Sequence, residues 1–265
     1  MDLGSGARGG PEELVLAEWF WSTVFYGGAL LAIAGFVGIV RPFKRLHRGR
    51  RSRAFAITVL GLGLAWSARS ITPLMRTSAS GHGIDEFMPQ YQFHERHETM
   101  VSASPERVFA AIRTVAADEI ALFKLFTWLR RFGQRGPESL LNPPDAKPIV
   151  DVAVASGFMV LLDRSPQEIV LGTVLAAPKG MSRRDIATAD QFRQLTEPGV
   201  IKGVLNFRVE PAAARTRVIT ETRVVATDEH TLALFTAYWR TIFPGSAILR
   251  VTWLRAIKAR AERGS

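Results

Sequence analysis

From Trp19 to Val40 the chain reads WFWSTVFYGGALLAIAGFVGIV, 22 residues without a charge. As a helix rising about 1.5 Å per residue, such a run crosses a hydrocarbon layer of about 30 Å. Leu14–Ala17 extend it past Glu18, so a helix is expected over about residues 14–40. Trp19, Trp21 and Tyr26 gather toward one end, as side chains of a membrane interface do. A secretory signal competes with this reading, but Asp2, Glu12 and Glu13 precede the run with only Arg8, and the run exceeds a usual signal core.

A loop with seven cations and no acid follows (Arg41, Lys44, Arg45, Arg48, Arg50, Arg51, Arg53), then a second apolar stretch, Ala54–Met75, interrupted by Arg69. Two spans, about 14–40 and 54–75, would make residues 1–76 an anchor. Small residues four apart, Ala34 with Gly38 and Gly61 with Ala65, suit close helix packing. The basic loop belongs in the cytoplasm, which places the rest of the chain outside. If the second stretch lies in the interface, the soluble part is cytoplasmic.

The net charge of +10 resembles that of a nucleic-acid binder until it is mapped. Residues 1–76 hold ten Lys and Arg against four Asp and Glu, residues 77–239 eighteen against nineteen, and residues 240–265 six against one. The near-neutral middle argues against nucleic acid as a partner. Without cysteine there are no disulfides, thiolate nucleophiles or Cys metal sites. Only six of 34 cations are Lys, a bias that points to a GC-rich bacterial source and so to a bacterial cell membrane.

Residues 77–90, TSASGHGIDEFMPQ, read as a linker. Alternation predicts a strand over Tyr91–Val101. Ser104-Pro105 opens a helix to about Val115 with a Val108, Phe109, Ile112, Val115 stripe. Asp118 is expected to cap a second helix whose Ile120, Leu122, Phe123, Leu125, Phe126, Trp128 and Leu129 are apolar on more than one side. Some of that surface must face a cavity, a partner or the bilayer. After a turn-rich Gly133–Pro148 come strands Phe158–Asp163 and Glu168–Leu175, a hairpin, and a second pair, Val200–Val209 and Arg217–Thr227. Asp228 caps a long helix reaching about Glu262, which Pro244-Gly245 must kink or break.

This order, with SPERVFAAI after the first strand and the segments GVLNFRVEP (Gly203–Pro211), TETRVVATD (Thr220–Asp228) and YWRTIFPGS (Tyr238–Ser246), resembles the SRPBCC superfamily of START-type and polyketide-cyclase-like proteins over roughly residues 91–263. The resemblance implies an α+β helix-grip fold: a curved antiparallel sheet around the C-terminal helix, with an apolar ligand cavity between them. Members act as carriers, sensors or enzymes, so fold alone does not choose.

On the strand Arg217–Thr227, Glu221 and Arg223 share a face, and with Lys202, Asn206 and Arg208 of the neighbouring strand they form either a polar cluster in a pocket or a solvent-facing ladder of ion pairs. Tyr238 and Trp239 on the last helix either meet a ligand or pack as core. Asn206, Arg208, Glu221, Arg223, Tyr238 and Trp239 are therefore the candidate ligand-binding residues. His94 and His97 fall on opposite strand faces, no histidine pair has zinc spacing, and no Ser-His-acid elbow is present, so neither a metal, a cofactor nor a catalytic residue is called for. The basic last turns, Arg250, Arg255, Lys258, Arg260 and Arg263, suit either anionic headgroups or the helix dipole. The expected function is membrane-anchored, noncatalytic binding of a hydrophobic small molecule or lipid. The alternatives are a cyclase or aromatase using Tyr238, Glu221 or Arg223, and an interaction module using the aromatic surface of Ile120–Phe132, for which the sequence names no protein partner.

Overall fold

The computed structural model describes residues 11–40, 49–68, 75–76, 81–134, 136–182 and 186–263. They divide into two units, one of residues 75–231 and 245–263, the other of 11–68 and 232–244.

The second unit is helical. Helix α1 spans Pro11–Val40 and α2 spans Gly49–Ser67. Among the described residues, α1 is the one helix long and apolar enough to cross a membrane, over Leu16–Val40. That corrects the expectation of two such helices: α2 spends its first turns on Gly49–Arg53, and its remaining apolar residues are too few to count as a span. The rest of the expected second span, residues 69–74, lies outside the described residues. Apolar side chains of α1 such as Leu30, Ile33 and Phe36 are exposed, as they would be against lipid and not as in the core helix of a soluble protein. The two helices pack through glycine: a Cβ on Gly28 would lie 2.6 Å from Ala65 N, and one on Gly35 would lie 2.6 Å from Thr58 N. Gly61 and Ala65 do serve this seam, and on α1 it runs through Gly28, Ala32, Gly35 and the expected Gly38, while Ala34 is exposed.

In the first unit, the short strands β1 (Met75–Arg76) and β2 (Gln90–Tyr91) pair and flank α3 (Gly83–Phe87). The segment expected as linker thus folds from residue 83, because Ile84, Phe87 and Met88 fall on one side of a helical turn and are buried. Strand β3 (Phe93–Val101) leads to α4 (Pro105–Thr114), where Ser104 accepts from Arg107 N at 3.4 Å and Val108, Phe109 and Ile112 are buried, as their spacing predicts. Helix α5 (Phe123–Arg130) starts later than expected. Leu122, at φ 65°, stands at its N-cap instead of Asp118. Helix α6 (Ile149–Ala155), which the proline-rich surroundings hide in sequence, precedes strands β4 (Met159–Arg164) and β5 (Glu168–Ala176). Helix α7 (Ala189–Gln194) begins with a capping box between Thr188 and Gln191.

Strands β6 (Ile201–Ala212) and β7 (Arg215–Ala226) form the long hairpin, extending further into the turn than alternation indicated. The sheet is fully antiparallel in the order β3-β7-β6-β5-β4. Helix α8 (Glu229–Glu262) is capped by Asp228, which accepts from Thr231 N at 2.9 Å, and it continues through Pro244 instead of breaking there. Its residues up to Pro244 belong to the helical unit and those from Gly245 to the sheet unit. Trp253, Leu254 and Ile257 join Ile169, Leu171, Leu205, Phe207, Val209 and Val218 in one buried cluster. The architecture is therefore α+β, a five-stranded antiparallel sheet packed on a long C-terminal helix.

Candidate functional site

Side chains alternate across the sheet, so register alone sorts its polar residues onto two faces. Glu221 of β7 pairs with Arg96 of β3 and Asn206 of β6, and Asn206 pairs with Val170 of β5, which sets that side as the outer face. Thr222 pairs with Glu95 and Leu205, on the inner face with Phe207 and the residues that meet α8.

The outer face carries four of the six sequence-level candidates. Arg223 donates from Nε to Glu221 at 2.6 Å and from Nη1 to Asp85 at 2.7 Å and to the Met88 carbonyl at 2.9 Å, and its guanidinium lies 4.9 Å from the Tyr91 ring centre. Glu221 also meets His94 Nε2 at 3.0 Å. Asn206 donates to Glu168 at 2.6 Å and accepts from Glu221 N at 2.9 Å, and the second Glu168 oxygen accepts from Gly83 N at 2.8 Å. Arg208 pairs with Glu210 at 3.1 Å and with His82. These groups neither form a solvent-facing ladder nor point into an open pocket. Asn206, Glu221 and Arg223 are buried beneath α3 and Arg208 is half-buried, and most of their hydrogen-bonding capacity is taken by the protein's own atoms, so the cluster acts as a clasp between the sheet and residues 82–91. Tyr238 and Trp239 belong to the helical unit: Trp239 donates to Glu18 at 2.9 Å, and Tyr238 packs against Phe235 at a ring distance of 5.5 Å. The six candidates are thus not brought together.

Burial alone would raise the Glu221 carboxyl, but the His94 hydrogen bond and the Arg223 charge outweigh it and hold the pKa at about 2, below the ordinary 4.5. A depressed carboxylate pKa stabilises the fold above the unfolded value, and that stability is lost as pH falls through the folded value. Acid titration of unfolding free energy should therefore decline from about pH 4.5 toward pH 2, with up to about 3 kcal/mol traceable to this group. Glu221→Gln should flatten that part of the curve; an unchanged acid limb would remove the clasp assignment.

The inner face holds a second cluster that sequence reasoning passed over. Glu95 is 1% exposed; one oxygen meets His97 Nε2 at 3.0 Å and the other accepts from Ser246 Oγ at 2.8 Å. Ser246, Arg250 and Trp253 sit at spacings of four and three on α8, hence on one stripe. The Arg250 guanidinium lies 5.4 Å from the Trp253 ring centre, and that ring lies 5.0 Å from Phe207. Burial pushes the Arg250 guanidinium pKa down, and the charge of Glu95 partly offsets this. Three buried polar atoms here have no hydrogen-bond partner among the described residues: Arg250 Nη1, Trp253 Nε1 and Thr222 Oγ1. Each such group costs about 1–3 kcal/mol when left unsatisfied. Ser246 donates to Glu95, which ties that carboxylate to α8.

Arg250 was grouped by sequence with the basic last turns. Its position on the Ser246–Trp253 stripe was the available signal that it turns inward. Three other cations of that group have local tasks: Lys258 donates to the Met100 carbonyl, while Arg260 and Arg263 pair with Glu119.

No family model matches the sequence, and no curated protein matches it. Among solved structures, the chain is similar to protein MLL2253 from Mesorhizobium loti (13% identity, 65% of this chain and 98% of that one, TM-score 0.33) and to the hypothetical protein jhp0584 from Helicobacter pylori (8% identity, 71% and 99%, TM-score 0.33). It is also similar to the di-domain ARO/CYC StfQ from the steffimycin biosynthetic pathway (10% identity, 83% and 62%, TM-score 0.27). These are loose likenesses, and the functional reading rests on the chain's own geometry.

Proposed function

We propose that this chain is a membrane-anchored, noncatalytic member of the helix-grip class that holds a hydrophobic small molecule or lipid between the sheet and the second half of α8. The observation that carries the reading is the inner-face cluster, where Arg250 Nη1, Trp253 Nε1 and Thr222 Oγ1 are buried without partners beside the apolar surface of Leu205 and Phe207. A molecule that brings an oxygen acceptor on an apolar body would satisfy these donors and bury its remainder against that surface. Arg250 and Glu95 already balance in charge, so a neutral acceptor such as a carbonyl fits better than a second carboxylate, which would leave a buried net negative charge. In this reading the outer cluster of Asn206, Arg208, Glu221 and Arg223 fastens α3, and Glu95, Thr222, Arg250 and Trp253 take the role of ligand contacts. Tyr238 and Trp239 serve the anchor unit.

The anchoring part of the reading is supported by the length and exposed apolar surface of α1. With α1 as the single crossing, the cations of residues 41–53 belong on the cytoplasmic side of a bacterial cell membrane, and the sheet unit follows them there. A side-specific reporter fused after Ser265 should be active only in the cytoplasm; a signal outside means a second crossing and overturns this orientation. For the ligand, native mass spectrometry of the detergent-purified full chain after exposure to membrane extract should show a bound small molecule. A chain that remains at its own mass contradicts the proposal.

A further inference from the structure

Helix α5 presents an apolar face that none of the described residues of its own unit covers. Leu122, Leu125, Trp128 and Leu129 are about half exposed, and Phe132 is 91% exposed. Phe123 and Thr127, on the opposite side, are buried, and Phe126 lies against Gly245 of α8. The helix is thus seated on its unit by one side and offers the other outward. Residues 120–137 contain Lys124, Arg130, Arg131 and Arg135 and no acidic residue. Lys124 meets Asp145 at 2.6 Å, and Arg131 donates to the Gln134 carbonyl.

A water-soluble surface rarely keeps so many large apolar side chains on one short element. Leu, Trp and Phe on one side of a helix edged by Lys and Arg is instead the pattern of a segment that lies in the headgroup layer, its apolar side chains at the acyl boundary and its cations among phosphates. From this charge complementarity we infer that α5 and Phe132 dock into the surface of an anionic phospholipid bilayer. The inference assumes that α1 holds the chain at a membrane, and it stands whether or not the inner sheet face carries a ligand.

The absence of cysteine allows a direct test. Phe132→Cys and Leu125→Cys, both at exposed positions, are labelled with an environment-sensitive probe in the full chain, with Glu210→Cys as a third site. Each protein is reconstituted into vesicles of phosphatidylcholine alone or with about a third phosphatidylglycerol, an anionic content large enough to attract basic segments. The probes at 132 and 125, but not at 210, should be quenched several-fold more by lipid-borne than by aqueous quencher. That preference should weaken in high salt, without the anionic lipid, and in a Lys124→Gln, Arg130→Gln background. Probes at 132 and 125 open to aqueous quencher in every vesicle overturn the inference. So does protection confined to native membranes, which marks a protein partner, and protection that persists in detergent and falls on dilution, which marks a second copy. Vesicles that do not retain the chain at all would instead refute the anchor.

Discussion

Arg240→Met is expected to destabilise the helical unit by about 3–5 kcal/mol, the usual result of stripping one partner from a buried ion pair. Glu18 is 4% and Arg240 2% exposed, and they form a salt bridge in which Glu18 also accepts from Trp239 Nε1 at 2.9 Å and Arg240 donates from Nε to the Ala68 carbonyl at 3.4 Å. Nearby, Trp19 meets Phe243 edge-to-face at 5.4 Å, and the Tyr26 hydroxyl donates to the Thr241 carbonyl at 2.5 Å. Removing the cation leaves a carboxylate buried beside an apolar helix. Thermal unfolding of the full chain in detergent should show the loss, and adding Glu18→Gln should recover much of it, since a neutral amide still accepts from Trp239. If the double variant is no more stable than Arg240→Met, the ion pair is not what joins residues 232–244 to α1.

Arg223→Met should have a comparable effect in the sheet unit, because it takes from Glu221 and Asp85 the cation they share and frees the Met88 carbonyl. The effect should be local first. Amides of α3 and the following turn should lose protection from hydrogen exchange well before those of β6 and β7, which hold one another through the long hairpin ladder. Arg223→Lys should rescue poorly, since one ammonium cannot reproduce the fork that serves Glu221 and Asp85 together. Equal exchange in α3 of the variant and the parent would mean that Arg223 does not fasten it.

Both cases show what the sequence makes legible. Period-two and period-three-to-four patterns identified β3, both strand hairpins, α4 and α8, because each pattern reflects one face meeting one core. Short elements were not legible. Helices α3, α6 and α7 have five to seven residues, too few for a period, and they sit among Gly, Pro and polar residues that read as loop. The same limit governed the site. Alternation on β7 correctly grouped Glu221 with Arg223, but only α3, laid over that face, determines that they are buried. Arg250 looked like one more cation of a basic helix end, although its spacing from Ser246 and Trp253 placed it on the inward stripe. Glu18 looked like an interruption of an apolar run, because its partner lies 222 residues away in sequence.

The central claim is that the inner sheet face, through Arg250, holds a small molecule. The most direct test compares ligand occupancy by native mass spectrometry in the wild-type chain, Arg250→Met and Lys258→Met, each purified from the same membranes and checked for intact folding by its unfolding transition. Wild type and Lys258→Met should carry the same added mass, and Arg250→Met should lose at least about nine-tenths of it, as removal of a charged hydrogen bond worth about 1.5–3 kcal/mol implies. Equal occupancy in all three proteins, or none in any, would contradict the account.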